Sequence, residues 1–393
     1  MEINLVVIIV SALIAFAVLI YNPAKTYGVP AALIFILAGL FIGNGDFLPA
    51  FNYPEETAFI SQFALSIIIF TGGLQTPFSK IKPVLGEGLV ISNFGVLLTT
   101  LLMGFFVSFV TPLTLIEGLL LGAIVSSTDA AATFNILETK KLKLKYNADK
   151  VLEFESATND PIAMIMTLMF CIMLTSQGDG GATYYIIYFL QQLLVGGGIA
   201  YVASIILKQI FKRINFKEES LKPIFLLAML LVTTLGAEML DGNILVASFV
   251  FGLMVGNTEF KYKGSSQSFF STLSWLAQAT MFVILGLQIF PAVLFDAFKI
   301  AWLPTLFLFI FARPISVLIS YLPFKQPFSK QVFVSWIGIK GATPIVFALV
   351  PLTMGVPNSE LIFNITVVIV LSSMIIHGFS LDIVAKRLSL IDK

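Results

Sequence analysis

Long apolar windows follow one another along almost the whole chain. Windows of about 20 apolar residues, enough for a helix to cross roughly 30 Å of hydrocarbon, occur about thirteen times. They lie near residues 3–20, 29–44, 57–74, 84–110, 115–137, 151–175, 183–210, 222–239, 244–257, 271–290, 298–322, 331–353 and 361–382. The first has no basic flank and no small-residue cleavage site, so it reads as a retained span and not as a signal peptide. No polar stretch between windows exceeds about 15 residues, which leaves no separate catalytic, nucleotide-binding or regulatory domain. The chemistry is therefore expected inside the membrane.

The loops give an orientation. All but three of the 23 lysines and arginines fall in alternate loops, at Lys25, at Lys80 and Lys82, from Lys140 to Lys150, from Lys208 to Lys222, at Lys261 and Lys263, at Lys325 and Lys330, and from Lys386 to Lys393. The intervening loops carry Asp46, Glu55, Glu56, Asp179, Asp241, Asp296 and Glu360, with Lys299 the one base. Basic residues concentrate on the cytoplasmic side, so the N-terminus is expected outside and the C-terminus in the cytoplasm, in a multi-pass protein of the cell (inner or plasma) membrane. Composition agrees: 58% hydrophobic, 11% charged and a mean hydropathy of +0.97 describe a lipid-soluble chain. One cysteine, Cys171, excludes an internal disulfide or a Cys-based metal site. The one histidine, His377, argues against zinc and reads as a packed side chain.

Two polar clusters interrupt the apolar windows: Ser127-Thr128-Asp129-Ala130-Ala131 and Glu155-Ser156-Ala157-Thr158-Asn159-Asp160-Pro161. Ionisable groups at bilayer depth are costly and mark ion or proton pathways. Asp160-Pro161 also fits an ordinary helix N-cap followed by a first-turn proline. Length argues against that reading, because the residues from Ile162 to Leu174 make roughly 20 Å of helix, too little to cross. The span must begin near Val151, with Asp160 well below the surface. Ser156 and Asp160 are then four apart on one helix face with Asn159 beside them, an oxygen-rich cation site.

The segment from Leu115 to Ser127 is likewise too short to cross, so Ser126-Ser127-Thr128-Asp129 reads as a break within a span. Gly338-Ile339-Lys340-Gly341-Ala342-Thr343-Pro344 is a second break, with a lysine in mid-span. Broken half-helices present positive and negative dipole ends at the midplane, which Asp129 and Lys340 are placed to neutralise respectively. Arg313 is the other base within a span. Asp129, Glu155 and Asp160 are thus three acids against two bases, and the surplus acid can hold a cation or a proton. Each break falls in the fifth span of a six-span repeat, one repeat starting outside and the other inside. The expected fold class is an all-α polytopic membrane protein of about 13 helices, with inverted repeats and two discontinuous crossing helices.

These residues carry a resemblance. The Ser127–Ala131 and Glu155–Pro161 clusters, with Thr71-Gly72-Gly73-Leu74, Phe311-Ala312-Arg313-Pro314 and Gly338-Ile339-Lys340-Gly341-Ala342, resemble the monovalent cation:proton antiporter superfamily. The match is to its sodium/proton exchanger branch, which has Asn-Asp where the electrogenic branch has Asp-Asp. It covers nearly the whole chain and is nearest to the bacterial NhaP-type potassium/proton members. The resemblance implies a 13-span fold in which a core domain (84–176 and 297–384) moves against a dimerisation domain (1–78 and 222–291), with a linker helix at 183–215 and a tail at 385–393. It implies that Asp160 carries cation and proton, that Ser156 and Thr128 complete the coordination of the monovalent cation, that Asn159 orients the site, and that Glu155 pairs with Arg313.

One departure is that some sodium-selective relatives have an acid in the third span, where this chain has Gly72 and Gly73; this favours potassium over sodium. Relatives often continue into a cytoplasmic regulatory domain, which would lie beyond Lys393. The expected function is secondary active exchange of a monovalent cation for a proton by alternating access, electroneutral at one to one, in a homodimer serving pH homeostasis. No cofactor, nucleic acid or enzyme activity is expected. The alternatives are a sodium-selective electrogenic antiporter or a cation channel, although no filter-like repeat is visible. An intramembrane enzyme would need a nucleophile with its base, and Cys171 has no evident partner.

Overall fold

A backbone in hydrocarbon must satisfy its own hydrogen bonds, and the apolar windows accordingly fold as helices. The computed structural model describes residues 8, 11, 12, 14–16, 18, 19, 31–43, 51–129, 144–175, 181–214 and 218–391, and those between 8 and 19 are helical. The helices that follow are α1 (Ala31–Gly43), α2 (Pro54–Gln75), α3 (Leu85–Val110), α4 (Leu115–Ser126), α5 (Ala148–Thr175), α6 (Ala182–Arg213) and α7 (Leu221–Glu238). After them come α8 (Ile244–Gly256), α9 (Lys263–Leu287), α10 (Pro291–Ser320), α11 (Phe328–Trp336), α12 (Ala342–Thr353) and α13 (Ser359–Arg387). Ala130 to Lys143, which include the end of the fifth window, Ala131 and three loop lysines, lie outside the described residues, as do Lys25, Asp46, Asp179, Lys217 and Lys393.

Helices extend past their apolar windows, most of all α9, which begins at Lys263 and not at 271, and α10, which begins at Pro291 and not at 298. Hydropathy marks the part of a helix in hydrocarbon, whereas the helix itself runs on into the polar interface. At Pro291 the fixed φ and absent N–H of proline suit a first helical position.

The chain divides into two compact units, residues 1–61, 84–178 and 279–393 in one and residues 62–83 and 179–278 in the other. In the first unit α3 packs along α4, α4 along α5, and α13 along both α10 and α12. In the second unit α6 packs along α7 and α8, around a core that includes Phe70, Leu226, Leu230, Phe251 and Phe270. Large apolar side chains such as Phe109 and Val232 are exposed, as helix faces turned to lipid should be.

Glycines make the internal repeat visible. Within the first unit, a Cβ at Gly39 on α1 would strike the Val283 carbonyl of α9, and one at Gly286 would strike the Ile36 carbonyl. Within the second unit, a Cβ at Gly252 on α8 would strike the Phe70 carbonyl of α2, and one at Gly73 the Phe249 carbonyl. One and the same offset relates Gly39 to Gly252, Gly43 to Gly256 and Gly73 to Gly286, in Gly-Leu-Phe-Ile-Gly against Gly-Leu-Met-Val-Gly and Gly-Leu-Gln against Gly-Leu-Gln. The second and tenth spans thus meet as the ninth and third do, by the small-residue packing that brings membrane helices backbone to backbone.

Two lysines assigned to loops are buried instead. Lys330 lies at the start of α11 with its Nζ 2.9 Å from Glu87 Oε1 and 3.0 Å from Oε2. Lys222 donates to the Lys261 carbonyl at 2.7 Å, beneath the rings of Phe211, Phe260 and Tyr262. In both cases a basic helix end is covered by a tertiary neighbour, and at Lys222 aromatic faces supply part of the stabilisation water would have given.

Candidate functional site

The site begins with α5, which continues as one helix through Pro161. That proline has no N–H to offer the carbonyl of Ala157, a defect that membrane helices tolerate when neighbours re-satisfy it. Helical spacing puts Glu155, Ser156, Asn159 and Asp160 on one face, and all four are buried.

Opposite them stand the two breaks. After Ser126 the chain turns extended, with Ser127 at φ −62° and ψ 153°. Between α11 and α12 it is again non-helical, and the Asp129 N–H donates to the Ile339 carbonyl at 2.8 Å. The breaks therefore bond to each other where the half-helices meet. Lys340 Nζ donates to the carbonyls of Ser126 and Ser127 at 3.1 and 2.8 Å, meeting the negative end of α4, which carries roughly half an elementary charge. Asp129, itself buried, sets its carboxylate against Gly341, the residue preceding α12 and its positive end. Any side chain at Gly341 would overlap that carboxylate.

A polar net ties the first break to α5. Thr128 Oγ1 lies 2.8 Å from Ser156 Oγ and accepts from Asn159 Nδ2 at 2.7 Å. The same amide nitrogen donates to Glu155 Oε1 at 3.3 Å, and Asn159 Oδ1 accepts from the Thr128 N–H at 3.4 Å. Asn159 is thereby held from both sides. Glu155, fully buried, takes a fork from Arg313, with Nη1 to Oε1 at 2.7 Å and Nη2 to Oε2 at 2.8 Å. Bidentate geometry is the strong form of this pair. Arg313 follows directly on a π-helical turn, Leu308–Ala312, and passes over Gly338, where a Cβ would come within 2.9 Å of its Nε. Such turns interrupt the regular face of a helix and recur at functional sites.

Asp160 is placed differently. Its Oδ2 accepts from Thr343 Oγ1 at 3.3 Å, while its buried Oδ1 has no hydrogen-bond partner among the described residues. A buried oxygen of this kind is costly unless a proton or cation meets it. Ser127 Oγ, on the first break, is also buried and unpartnered among the described residues.

The structure therefore brings Thr128, Asp129, Glu155, Ser156, Asn159, Asp160, Arg313 and Lys340 together. It also supplies residues to which sequence reasoning gave no role. Thr343 sat unremarked in the quoted Gly338–Pro344 stretch, where a hydroxyl in the first turn of a half-helix was the available signal. Ser373 and His377 support the second break. Ser373 Oγ accepts from the Lys340 N–H at 2.9 Å and lies 2.9 Å from His377 Nδ1. Glu117 closes a capping box with Thr114 at the start of α4 and accepts from Asn358 Nδ2 at 2.8 Å, fixing the end of that helix away from the break.

The chain is similar to known proteins over almost its whole length. The family pattern described as "Sodium/hydrogen exchanger, transmembrane" matches residues 9–387. A K(+)/H(+) antiporter NhaP of Alkalimonas amylolytica is 32% identical over 389 residues, which cover 99% of this chain and 67% of that protein. A K(+)/H(+) antiporter NhaP2 of Shewanella oneidensis is 33% identical over 394 residues, covering 98% and 67%. The solved structure of the sodium proton antiporter MjNhaP1 from Methanocaldococcus jannaschii at pH 8 superposes with a TM-score of 0.85 at 21% identity, covering 99% of each chain, and so shares the fold.

Proposed function

We propose, since the chain belongs to the sodium/hydrogen exchanger family, that it exchanges a monovalent cation for a proton across the membrane, with Asp160 carrying the two in turn. The observation that carries this reading is the Asp160 carboxylate, buried with Oδ1 unpartnered among the described residues while Arg313 holds Glu155 by two bonds. A bare charge at bilayer depth is unfavourable. A proton removes that charge and a cation balances it, so Asp160 holds one or the other as the site is exposed to each side in turn. Ser156 and Thr128 offer neutral oxygens to the cation, Asn159 keeps Thr128 in place, and Asp129 and Lys340 serve the helix ends at the crossing.

Asn159 occupies the place of a second acid, so one charge crosses in each direction and the exchange is electroneutral at one to one. Potassium is the favoured cation, supported by the names of the curated relatives; sodium is the second reading, favoured by the name of the solved relative. The same reading assigns the protein to the cell membrane with the N-terminus outside, and to a homodimer that serves pH homeostasis.

Reconstituted in liposomes with an internal pH dye, the purified protein should move protons when a potassium or sodium gradient is imposed, and should stop when choline replaces the cation. Cation flux unaccompanied by protons would identify a channel and overturn the reading.

A further inference from the structure

The cation site read from the sequence draws all its oxygens from the first repeat: Asp160 and Ser156 on α5, and Thr128 at the first break. The fold adds a hydroxyl from the second repeat. Thr343 lies in the first turn of α12, between Ala342 and Pro344, and is buried. Among the described residues its side chain bonds the Asp160 carboxylate. The break that sends Lys340 to the end of α4 thus sends Thr343 to α5.

We infer that Thr343 is a ligand of the ion site contributed by the second repeat and sets the balance between cation and proton on Asp160. The inference rests on the reading of Asp160 as the carrier. A threonine hydroxyl has one hydrogen to give and lone pairs to offer. With the carboxylate bare, the hydrogen points to Oδ2, as the 3.3 Å contact places it. With a cation bound at the carboxylate, a rotation about one bond turns a lone pair to the metal instead. A valine at 343 keeps the branched shape and loses both abilities.

The charges around Asp160 are Asp129 from the first break, Glu155 from its own helix with Arg313 behind it, and Lys340 from the second break. The substitution leaves all of them in place. Removing a donor to the charged carboxylate penalises that form against the protonated one. The proton then competes better, and the pH of half-maximal exchange moves to the alkaline side. A hydrogen bond to a charged group corresponds to a displacement of about one pH unit.

The test measures cation-driven proton movement in proteoliposomes against pH and against potassium concentration, for the wild type, Thr343→Val, Thr343→Ala and Thr343→Ser. The two variants without a hydroxyl should show the alkaline displacement and a several-fold higher half-saturation for potassium. Thr343→Ser should restore the wild-type midpoint. An unchanged midpoint and half-saturation in Thr343→Val and Thr343→Ala would overturn the inference, as would an acid displacement, which would mean that the hydroxyl accepts from the protonated acid. A serine variant displaced as far as valine would overturn it too, by tying the effect to shape. If valine or alanine proves unstable in detergent, potassium-dependent thermal stabilisation of the serine and remaining variants gives the same comparison. Failure of the wild type to exchange, or activity that survives loss of Asp160, would instead overturn the reading of the carrier.

Discussion

Asp160→Asn abolishes cation-coupled proton movement in proteoliposomes and leaves the protein folded. The amide matches the carboxyl in shape and still accepts the Thr343 hydroxyl hydrogen bond through its oxygen. It can neither take up the exchanged proton nor balance the charge of a cation, so both halves of the cycle are lost together. Folding should be kept or improved, because an unbalanced charge has been removed from a buried position. Thermal unfolding and transport measured on one preparation separate the two effects. Exchange at the wild-type rate in a folded variant would move the carrier to another residue.

Glu155 and Arg313 should show the largest effect on stability. Loss of either partner leaves the other charged and buried, which costs about 3–5 kcal/mol. Glu155→Gln keeps an oxygen that can accept from Asn159 Nδ2 but loses the charge that balances Arg313. Replacing both residues removes both charges, and the double variant should be clearly less destabilised than the sum of the singles. Unfolding in the same detergent for both single variants and the double variant measures the coupling. Simple additivity, or singles that unfold like the wild type, would refute a structural pair.

Much of the scaffold was legible in the sequence. Hydropathy length gave the spans because hydrocarbon thickness fixes it. The two breaks could be located because Leu115 to Ser127 is too short to cross, and because glycine and proline flank a lysine in a window that should hold none. Pairings across the fold were harder to read. The residues alone left three acids facing two bases, and nothing in the local sequence says that Arg313 approaches Glu155 over Gly338. Lys330 reads as a loop residue by position, since its partner Glu87 is 243 residues away in the chain. Thr343 looks like any helix-start hydroxyl until α5 is laid against it. The role of Ser373 depends on a backbone N–H at Lys340 that is free only because the helix is broken there. The glycine offset is present in the sequence, but its meaning depends on the carbonyls those glycines face in the fold.

In the proposed cycle one carboxylate holds either one proton or one cation. Electrogenicity tests it most directly. Proteoliposomes containing the wild-type protein can be given a fixed potassium or sodium gradient while an ionophore-set potential is varied, with proton movement as the readout. A net charge moved per cycle would experience about 2.3 kcal/mol for each 100 mV, enough to shift the reversal point plainly. With one exchangeable charge on Asp160, the rate and the reversal point should not respond to voltage, whereas a clear dependence of either would rule out the one-carboxylate mechanism.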